Sequence, residues 1–198
     1  MKKLDLKKMQ TLIDLAVEED FGQGDPTSEL TIPEDVIAKA SLVSREEIVV
    51  AGMEVAAEVL KRYDRRLKIK ILKRDGSRAN VADKLATITG PLRSMLSAER
   101  VVLNFLQRLS GIATTTHKYV VATRGTKAKI YDTRKTIPGW RELEKYAVRC
   151  GGGHNHRYNL GQAVMIKDNH VAQLGSNLSA KLKKLVAESH KIKTVKFV

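Results

Sequence analysis

The fold class is indicated first by Ile130–Cys150, which has the sequence IYDTRKTIPGWRELEKYAVRC. It begins with a short run, Ile130–Thr133, typical of a strand, and Arg141–Cys150 has the apolar spacing of a helix. The same patterns predict the elements that follow, which are a strand at Ala163–Lys167, a helix at Leu178–Glu188 and a strand at Thr194–Val198. The resulting order, β-α-β-α-β, indicates a parallel sheet or barrel.

The N-terminal half predicts a different architecture. Apolar residues recur at helical spacing over Leu4–Val17, and the glycines and proline that follow are expected to end this opening helix. Residues 37–51 and 67–72 alternate as strands, Met53–Tyr63 has the pattern of a helix, and a turn is expected at residues 75–76. We therefore expect an antiparallel sheet with one helix packed on it.

The predicted fold class is α/β. A new apolar stripe, from Val101 to Leu109, begins just after Ser97, where we place a domain boundary. This gives an N-terminal α+β sandwich domain, residues 1–97, and the first part of a parallel α/β barrel, residues 98–198. Three strands are too few to close a barrel, so we expect the barrel to be incomplete at its C-terminal end.

Composition and charge narrow the class of protein. The chain has 198 residues, 42% of them hydrophobic, and 36 Lys and Arg against 22 Asp and Glu give a net charge of +14. Disorder is excluded, and attraction to phosphorylated small molecules, nucleic acid or acidic membranes is indicated. The single cysteine, Cys150, excludes a disulfide framework and cysteine-rich zinc sites. Without a signal-peptide core or membrane span, a soluble cytoplasmic protein is expected.

Basic side chains gather where the predicted barrel strands end. In an α/β barrel the active groups lie at these ends, and a mixture of Arg and Lys suits a ligand with both carboxylates and phosphates. The glycine run at 151–153 is expected to stop a helix and to let backbone approach a ligand closely. The candidate binding residues are Arg134, Lys135, His156, Arg157 and Lys167, whereas His154 and His170 are interpreted as surface or structural histidines.

Three motifs resemble the quinolinate phosphoribosyltransferase family, also called carboxylating nicotinate-nucleotide pyrophosphorylases. They are DTRKTIPG at 132–139, GGGHNHRYNL at 151–160 and MIKDNH at 165–170, in the family's order. Two further segments carry the same resemblance, namely DFGQGDPT at 20–27 and, after AER at 98–100, LNFLQRLSGIAT at 103–114. The resemblance thus covers essentially the whole chain.

The resemblance implies an activity and a set of site residues. Family members are pentosyltransferases that transfer phosphoribose from phosphoribosyl pyrophosphate to quinolinate. The products are nicotinate mononucleotide, pyrophosphate and carbon dioxide, in de novo NAD synthesis, and Mg²⁺ accompanies the pyrophosphate. By similarity, Arg134, His156, Arg157 and Lys167 would hold the quinolinate carboxylates, and Lys135 would be catalytic, between quinolinate and the donor. Arg100 is expected to reach the neighbouring subunit's pocket in a homodimer.

The chain departs from the family in two places. The acidic residues of later barrel strands, which would contact ribose and magnesium, are missing, so the metal ligands stay unassigned and a chain of this length is expected to bind quinolinate but to be catalytically impaired. Residues Val81–Lys84 also replace a turn where the family usually carries glycine, which is expected to affect the small domain more than the site.

Two alternative functions remain open. One is a related phosphoribosyltransferase that acts on nicotinate, or a relative of the molybdate-operon type. Retention of Arg100, Arg134, Arg157 and Lys167 favours a dicarboxylate over a monocarboxylate. The other is a noncatalytic basic module that binds anions or nucleic acid. Only nine aromatic residues are available for base stacking, so we expect no nucleic-acid partner. We also expect no membrane association.

Overall fold

The structure is a computed structural model that describes residues 3–192. These residues form two compact units. The first contains residues up to 132 together with 136–154, and the second contains 133–135 together with the residues from 155 onward. The strand predicted at Thr194–Val198 lies outside the described residues. The predicted boundary at residue 97 falls inside a helix, and the division into domains 1–97 and 98–198 stays a prediction.

Two helices open the first unit. A 3₁₀ turn, Leu6–Met9, leads into α1, Gln10–Phe21, which ends at Gly22 with φ of +47°, so the predicted opening helix is confirmed. A second helix, α2, spans Pro26–Thr31 and is capped by Asp25, whose carboxylate accepts from the Ser28 amide at 3.0 Å. The sequence analysis took Pro26 only as a helix end. Proline also suits the first position of a helix, where no amide donor is needed.

An antiparallel sheet with the strand order β1-β5-β3 lies in the first unit, as expected. Its strands are β1, Ile37–Val43, β3, Lys68–Ile71, and β5, Lys84–Pro91, while β2, Ile48–Val49, pairs with β4, Arg78–Ala79. The central strand β5 was not predicted. Lysine, alanine, glycine and proline make up half of its eight residues, and these give a weak strand signal although the strand pairs with two partners.

The helix α3 spans Met53–Tyr63, as predicted, and a distant carboxylate caps it. The Asp75 oxygens accept from the amides of Gly52 and Met53, both at 3.0 Å. The Tyr146 hydroxyl also donates to Asp75, at 2.7 Å. Burial, helped by the Asp75 charge, raises the pKa of Tyr146 and raises the pKa of the Cys150 thiol to about 12. Both groups therefore stay protonated at neutral pH.

One long helix organises the core of the first unit. This helix, α4, runs over 31 residues, Leu92–Ala122, and begins well before the predicted stripe at Val101–Leu109. It packs against α3, β2 and α5, and α5 spans Arg141–Cys150 as predicted. The largest fully buried side chains come from these elements and from α1, and they include Phe105, Leu109, Leu143, Met53, Leu60 and Ile13.

The second unit has less regular structure than expected. It contains a 3₁₀ turn, Leu160–Gln162, and two helices, α6, Asp168–Ala172, and α7, Leu178–Ser189. The prediction of a helix at Leu178–Glu188 is confirmed. The prediction of a strand at Ala163–Lys167 is wrong, because only Ala163 takes part in a bridge. An extended pattern becomes a strand only where a neighbour supplies a hydrogen-bonded ladder.

The mixed α/β class is confirmed. The predicted strand at Ile130–Thr133 is reduced to one parallel bridge, between Tyr131 and His154. Among the described residues, no helix combines the length and the apolar character needed to cross a membrane.

A turn with a left-handed residue lies within Val81–Lys84. Ala82 has φ of +68°, in the left-handed region, and its amide donates to the Ser44 carbonyl at 2.9 Å. A side chain on Cβ makes this conformation unfavourable, and glycine removes the penalty.

We predict that Ala82→Gly stabilises the protein. Relief of the left-handed strain outweighs the added freedom of the unfolded chain, so the free energy of unfolding should rise by about 1 kcal/mol. Urea denaturation followed by circular dichroism measures it. The matched control is Ala128→Gly at an exposed position with negative φ, which should lower the stability. An Ala82→Gly protein less stable than the wild type would contradict the strain argument.

Hydrogen bonds to the Asp64 carboxylate fix the end of α3. The Asp64 side chain, 12% exposed, accepts from the Arg66 guanidinium at 2.8 Å and from the Ser94 hydroxyl at 2.8 Å. The hydrogen bond from Arg66 is the main reason that the pKa of Asp64 falls from 3.8 to about 2.

We predict that Asp64→Asn costs stability in a pH-dependent way. A lowered carboxylate pKa stabilises the fold fully above the unfolded value, and this contribution is lost as the pH falls through the folded value. The variant should therefore be about 1–2 kcal/mol less stable at pH 7, and the gap should narrow between pH 4 and about 2. Urea titrations at each pH test this, with exposed Asp35→Asn as the control. A gap that stays constant with pH would contradict the role of the charge.

Candidate functional site

A single parallel bridge joins two motif-bearing segments in the first unit. The His154 amide donates to the Ile130 carbonyl at 2.8 Å, and the Asp132 amide donates to the His154 carbonyl at 3.1 Å. The rings of Tyr131 and His154 lie 5.4 Å apart. The bridge therefore sets the register of the segments that lead, along the sequence, into the basic motifs at 134–135 and 156–157.

A buried ion pair holds the same segment. The ammonium of Lys145, on α5, lies 2.6 Å from the Asp132 carboxylate, and the two side chains are only 4% and 6% exposed. Two charges at this depth interact through a low effective dielectric, and their desolvation cost is offset only while both are present. The pair fastens α5 to the residue that immediately precedes Thr133.

The glycine run follows α5 and serves packing. A Cβ at Gly151 would lie 2.3 Å from the Ala113 carbonyl oxygen, and one at Gly153 would lie 2.8 Å from the Thr116 side chain, both on α4. Gly152 has φ of +90° and turns the chain. Gly151 and Gly153 therefore permit close packing against α4, and the expectation that the run lets backbone approach a ligand stays a prediction.

Five of the six predicted binding residues belong to the second unit. They are Arg134, Lys135, His156, Arg157 and Lys167. Lys135 and Lys167 are exposed, whereas the other three are partly or largely buried. The unit thus combines buried cations with two lysines open to solvent, which suits an anionic ligand that is partly enclosed.

The buried guanidinium of Arg157 ties two of the motifs together. It donates to the Ala163 carbonyl at 2.8 Å and lies 3.6 Å from the Met165 sulfur. These contacts fix the segment that leads to Lys167. Arg157 therefore has a structural function beside the ligand-binding function predicted for it.

Local hydrogen bonds shape the backbone at the exposed lysines. The Lys135 amide donates to the Thr133 hydroxyl at 3.0 Å, and the Lys167 amide donates to Nδ1 of His170 at 3.0 Å. Lys167 caps the N-terminus of α6 with its carbonyl, which accepts from the amides of His170 and Val171. His170 thus makes a local structural contact.

Arg100 lies in the first unit, exposed on α4. The binding functions of all six residues, and the catalytic function of Lys135, stay predictions. The part of the chain that the structure describes contains no group of three or more His, Cys, Asp or Glu side chains that could hold a metal ion.

The sequence analysis missed the functions of Asp132 and Lys145. A signal was available, because Lys145 lies between Leu143 and Tyr146 on a helix whose apolar face includes both. A lysine at a buried position needs a carboxylate partner. That reasoning selects a nearby acid, but it cannot choose Asp132 from the other acids without the fold.

Comparisons with known proteins agree with the motifs. Residues 25–110 match the family model described as quinolinate phosphoribosyl transferase, N-terminal domain, and residues 112–196 match the corresponding C-terminal domain. Nicotinate-nucleotide pyrophosphorylase (carboxylating) from Mycobacterium leprae is 48% identical over 168 residues, which are 83% of this chain and 59% of that protein. The probable enzyme of the same name from Bacillus subtilis is 43% identical, over 97% of this chain and 65% of that protein.

A solved structure gives the same relationship. The crystal structure of NadC from Streptococcus pyogenes superposes with a TM-score of 0.91 at 38% identity, covering 100% of this chain and 70% of that one. The chain therefore spans about three fifths to two thirds of the length of the curated relatives named above.

We predict that Lys145→Met destabilises the first unit. The change removes the cation that faces a buried carboxylate, which typically costs about 3–5 kcal/mol. Denaturant titration measures the loss. The control is Lys184→Met, at a lysine that is 79% exposed and 4.0 Å from Glu188, where the change should stay within about 0.5 kcal/mol. Equal effects of the two substitutions would show that the Lys145 pair has no special weight.

Proposed function

Because the chain belongs to the quinolinate phosphoribosyl transferase family, we propose that it binds quinolinate and serves phosphoribosyl transfer with decarboxylation. The reaction would join quinolinate to the phosphoribosyl group of phosphoribosyl pyrophosphate and yield nicotinate mononucleotide, pyrophosphate and carbon dioxide. This is a step of NAD biosynthesis. The observation that carries the proposal is that the three quinolinate-family motifs supply the predicted binding residues Arg134, Lys135, His156, Arg157 and Lys167 to one compact unit.

Quinolinate is a dicarboxylate, and the proposed site has complementary charge. Arg134 and Arg157 offer planar donor forks, Lys167 offers a compact ammonium, and His156 adds a ring donor. Each cation to carboxylate contact near 4 Å contributes roughly 4 kcal/mol at an effective dielectric of about 20, before desolvation. Arg157 is pre-ordered by its bond to the Ala163 carbonyl, so less conformational entropy is lost when it binds a ligand.

The proposed chemistry needs no protein nucleophile. The quinolinate ring nitrogen forms a bond to the anomeric carbon while the bond from that carbon to the pyrophosphate oxygen breaks. Lys135, placed between the two substrates, stabilises the negative charge that develops on the leaving pyrophosphate. The carboxylate next to the nitrogen then leaves as carbon dioxide, its bonding electrons stay on the ring carbon, and that carbon takes up a proton.

In the proposal, Mg²⁺ reaches the site bound to the donor substrate, phosphoribosyl pyrophosphate. Mg²⁺ binds phosphates with few protein carboxylates, so it would arrive on the pyrophosphate group. The described side chains do not form a metal-holding cluster of their own, so the set of protein ligands remains unassigned.

The proposed assembly is a cytoplasmic homodimer in which Arg100 reaches the neighbouring subunit's site. Support comes from the exposure of Arg100 on α4 and from the free, buried Cys150, which suits a reducing compartment. The related nicotinate-type enzymes stay as an alternative. A monocarboxylate needs fewer cations than this site offers.

We predict that Lys167→Ala weakens quinolinate binding about tenfold or more, since one charge-assisted contact to a carboxylate is lost. Isothermal titration calorimetry with quinolinate and with nicotinate measures the effect, and the preference for quinolinate should shrink. Lys129→Ala removes an exposed lysine outside the motifs and should leave both affinities unchanged.

Three outcomes decide the test. Tighter binding of nicotinate than of quinolinate by the wild-type chain would favour the monocarboxylate alternative. Quinolinate binding that is equally strong in the Lys167→Ala variant would contradict the assignment of Lys167. Binding to an oligonucleotide that falls steeply with salt and is not displaced by quinolinate would favour a nucleic-acid module.

A further inference from the structure

The first turns of α4 are held by three sets of hydrogen bonds within the first unit. The Arg93 guanidinium donates to the carbonyls of Ile32 at 2.7 Å and Glu29 at 3.0 Å, at the end of α2. The Ser94 hydroxyl donates to Asp64 at 2.8 Å. These bonds orient the start of a helix that carries Arg100 two turns later.

The third link is a shared carboxylate oxygen. Oδ2 of Asp25 accepts from the Ser97 hydroxyl at 2.8 Å and from the Ser28 hydroxyl at 2.6 Å, and Oδ1 accepts from the Ser28 amide. Asp25 therefore caps α2 and holds α4 with the same group. The Ser97 hydroxyl also lies 3.0 Å from the Arg93 carbonyl, but the carboxylate is the stronger acceptor for its single proton.

Asp25 is held in its ionised form by these bonds. The Ser28 hydroxyl, followed by the Ser28 amide and the Ser97 hydroxyl, lowers the pKa of Asp25 below its ordinary value of 3.8. The link is therefore a charge-assisted bond at neutral pH, which is about twice as strong as a neutral one.

The hydrogen bond between Ser97 and Asp25 bears on Arg100 because Ser97 lies close to Arg100 on α4. Residues three apart in a helix lie on the same face, so Ser97 and Arg100 are neighbours on α4, about 4.5 Å apart along its axis. Ser97 is partly buried and bonded, whereas Arg100 is exposed. On this face of α4, the hydrogen bond from Ser97 to Asp25 therefore lies about one helical turn before Arg100.

We propose that Asp25 is a positioning residue that acts through Ser97 to hold Arg100 in the orientation needed for quinolinate. This inference rests on the binding function proposed above for Arg100. Asp25 touches no substrate in this scheme, so its effect should disappear when Arg100 is absent.

Matched serine substitutions separate positioning from general stability. Ser97→Ala removes the link to α4 and leaves the cap of α2, whereas Ser28→Ala removes a cap bond and leaves the link. Both are small changes to a hydroxyl that contacts the same carboxylate. We expect Ser97→Ala to weaken quinolinate binding about tenfold and Ser28→Ala to leave the affinity unchanged, since small displacements of a binding group have large effects.

A double-mutant cycle with Arg100→Ala completes the test, by calorimetry on the full 198-residue chain. If Asp25 acts through Arg100, Ser97→Ala should have no further effect on the affinity once Arg100 is replaced. Hydrogen exchange provides a readout without ligand, and the amides of residues 97–101 should exchange about tenfold faster in Ser97→Ala than in the wild type.

The outcomes keep the two proposals apart. If Arg100→Ala weakens binding but Ser97→Ala does not, the positioning inference is overturned and the proposed function stands. Additive losses in the double variant, or equal losses in Ser28→Ala and Ser97→Ala, would also overturn the inference. If Arg100→Ala itself leaves quinolinate binding unchanged, the proposed function of Arg100 fails, and the inference fails with it even if hydrogen exchange responds to Ser97→Ala.

Discussion

The buried ion pair between Lys145 and Asp132 is the constraint on which the packing of α5 against the Tyr131–His154 bridge depends. It fixes α5 against the segment that bridges to His154, and the glycines after α5 lock this arrangement against α4. Removing either charge would leave the other buried without a partner. The intact pair therefore fixes the geometry of these segments more than it adds net stability. Segments of the first unit that are far apart in the sequence are thereby held together.

The sequence predicted elements best where local pattern and tertiary packing agree. Met53–Tyr63 and Arg141–Cys150 were assigned with their observed bounds because each has an apolar face at helical spacing. The central strand β5 was missed because lysine, alanine, glycine and proline weaken its strand signal, although it pairs with a strand on each side. The strand prediction for Ala163–Lys167 was wrong because the residue pattern predicts an extended backbone but cannot show whether a neighbouring strand is present to pair with it.

The motifs predicted the residues of the candidate site, whose binding functions stay predictions, but did not predict the contacts that support these residues. Motif spacing selected Arg134, Arg157 and Lys167, which the fold gathers with their neighbours into one unit. The bond from Arg157 to the Ala163 carbonyl and the Asp25–Ser97 link depend on contacts that no spacing rule encodes. The glycine run was predicted to allow close approach, and the structure shows such an approach between Gly151 and the backbone of α4.

The close approach of Gly151 bears on the position of α4, the helix that carries Arg100. Gly151 contacts the helix at Ala113, and Arg100 lies 13 residues away, about 20 Å along the axis. A tilt of about one degree at the contact would shift position 100 by about 0.3 Å, a large part of the roughly 0.5 Å that a preorganised site tolerates. A side chain at position 151 would force α5 and α4 apart, and any tilt of α4 that followed would be carried to Arg100.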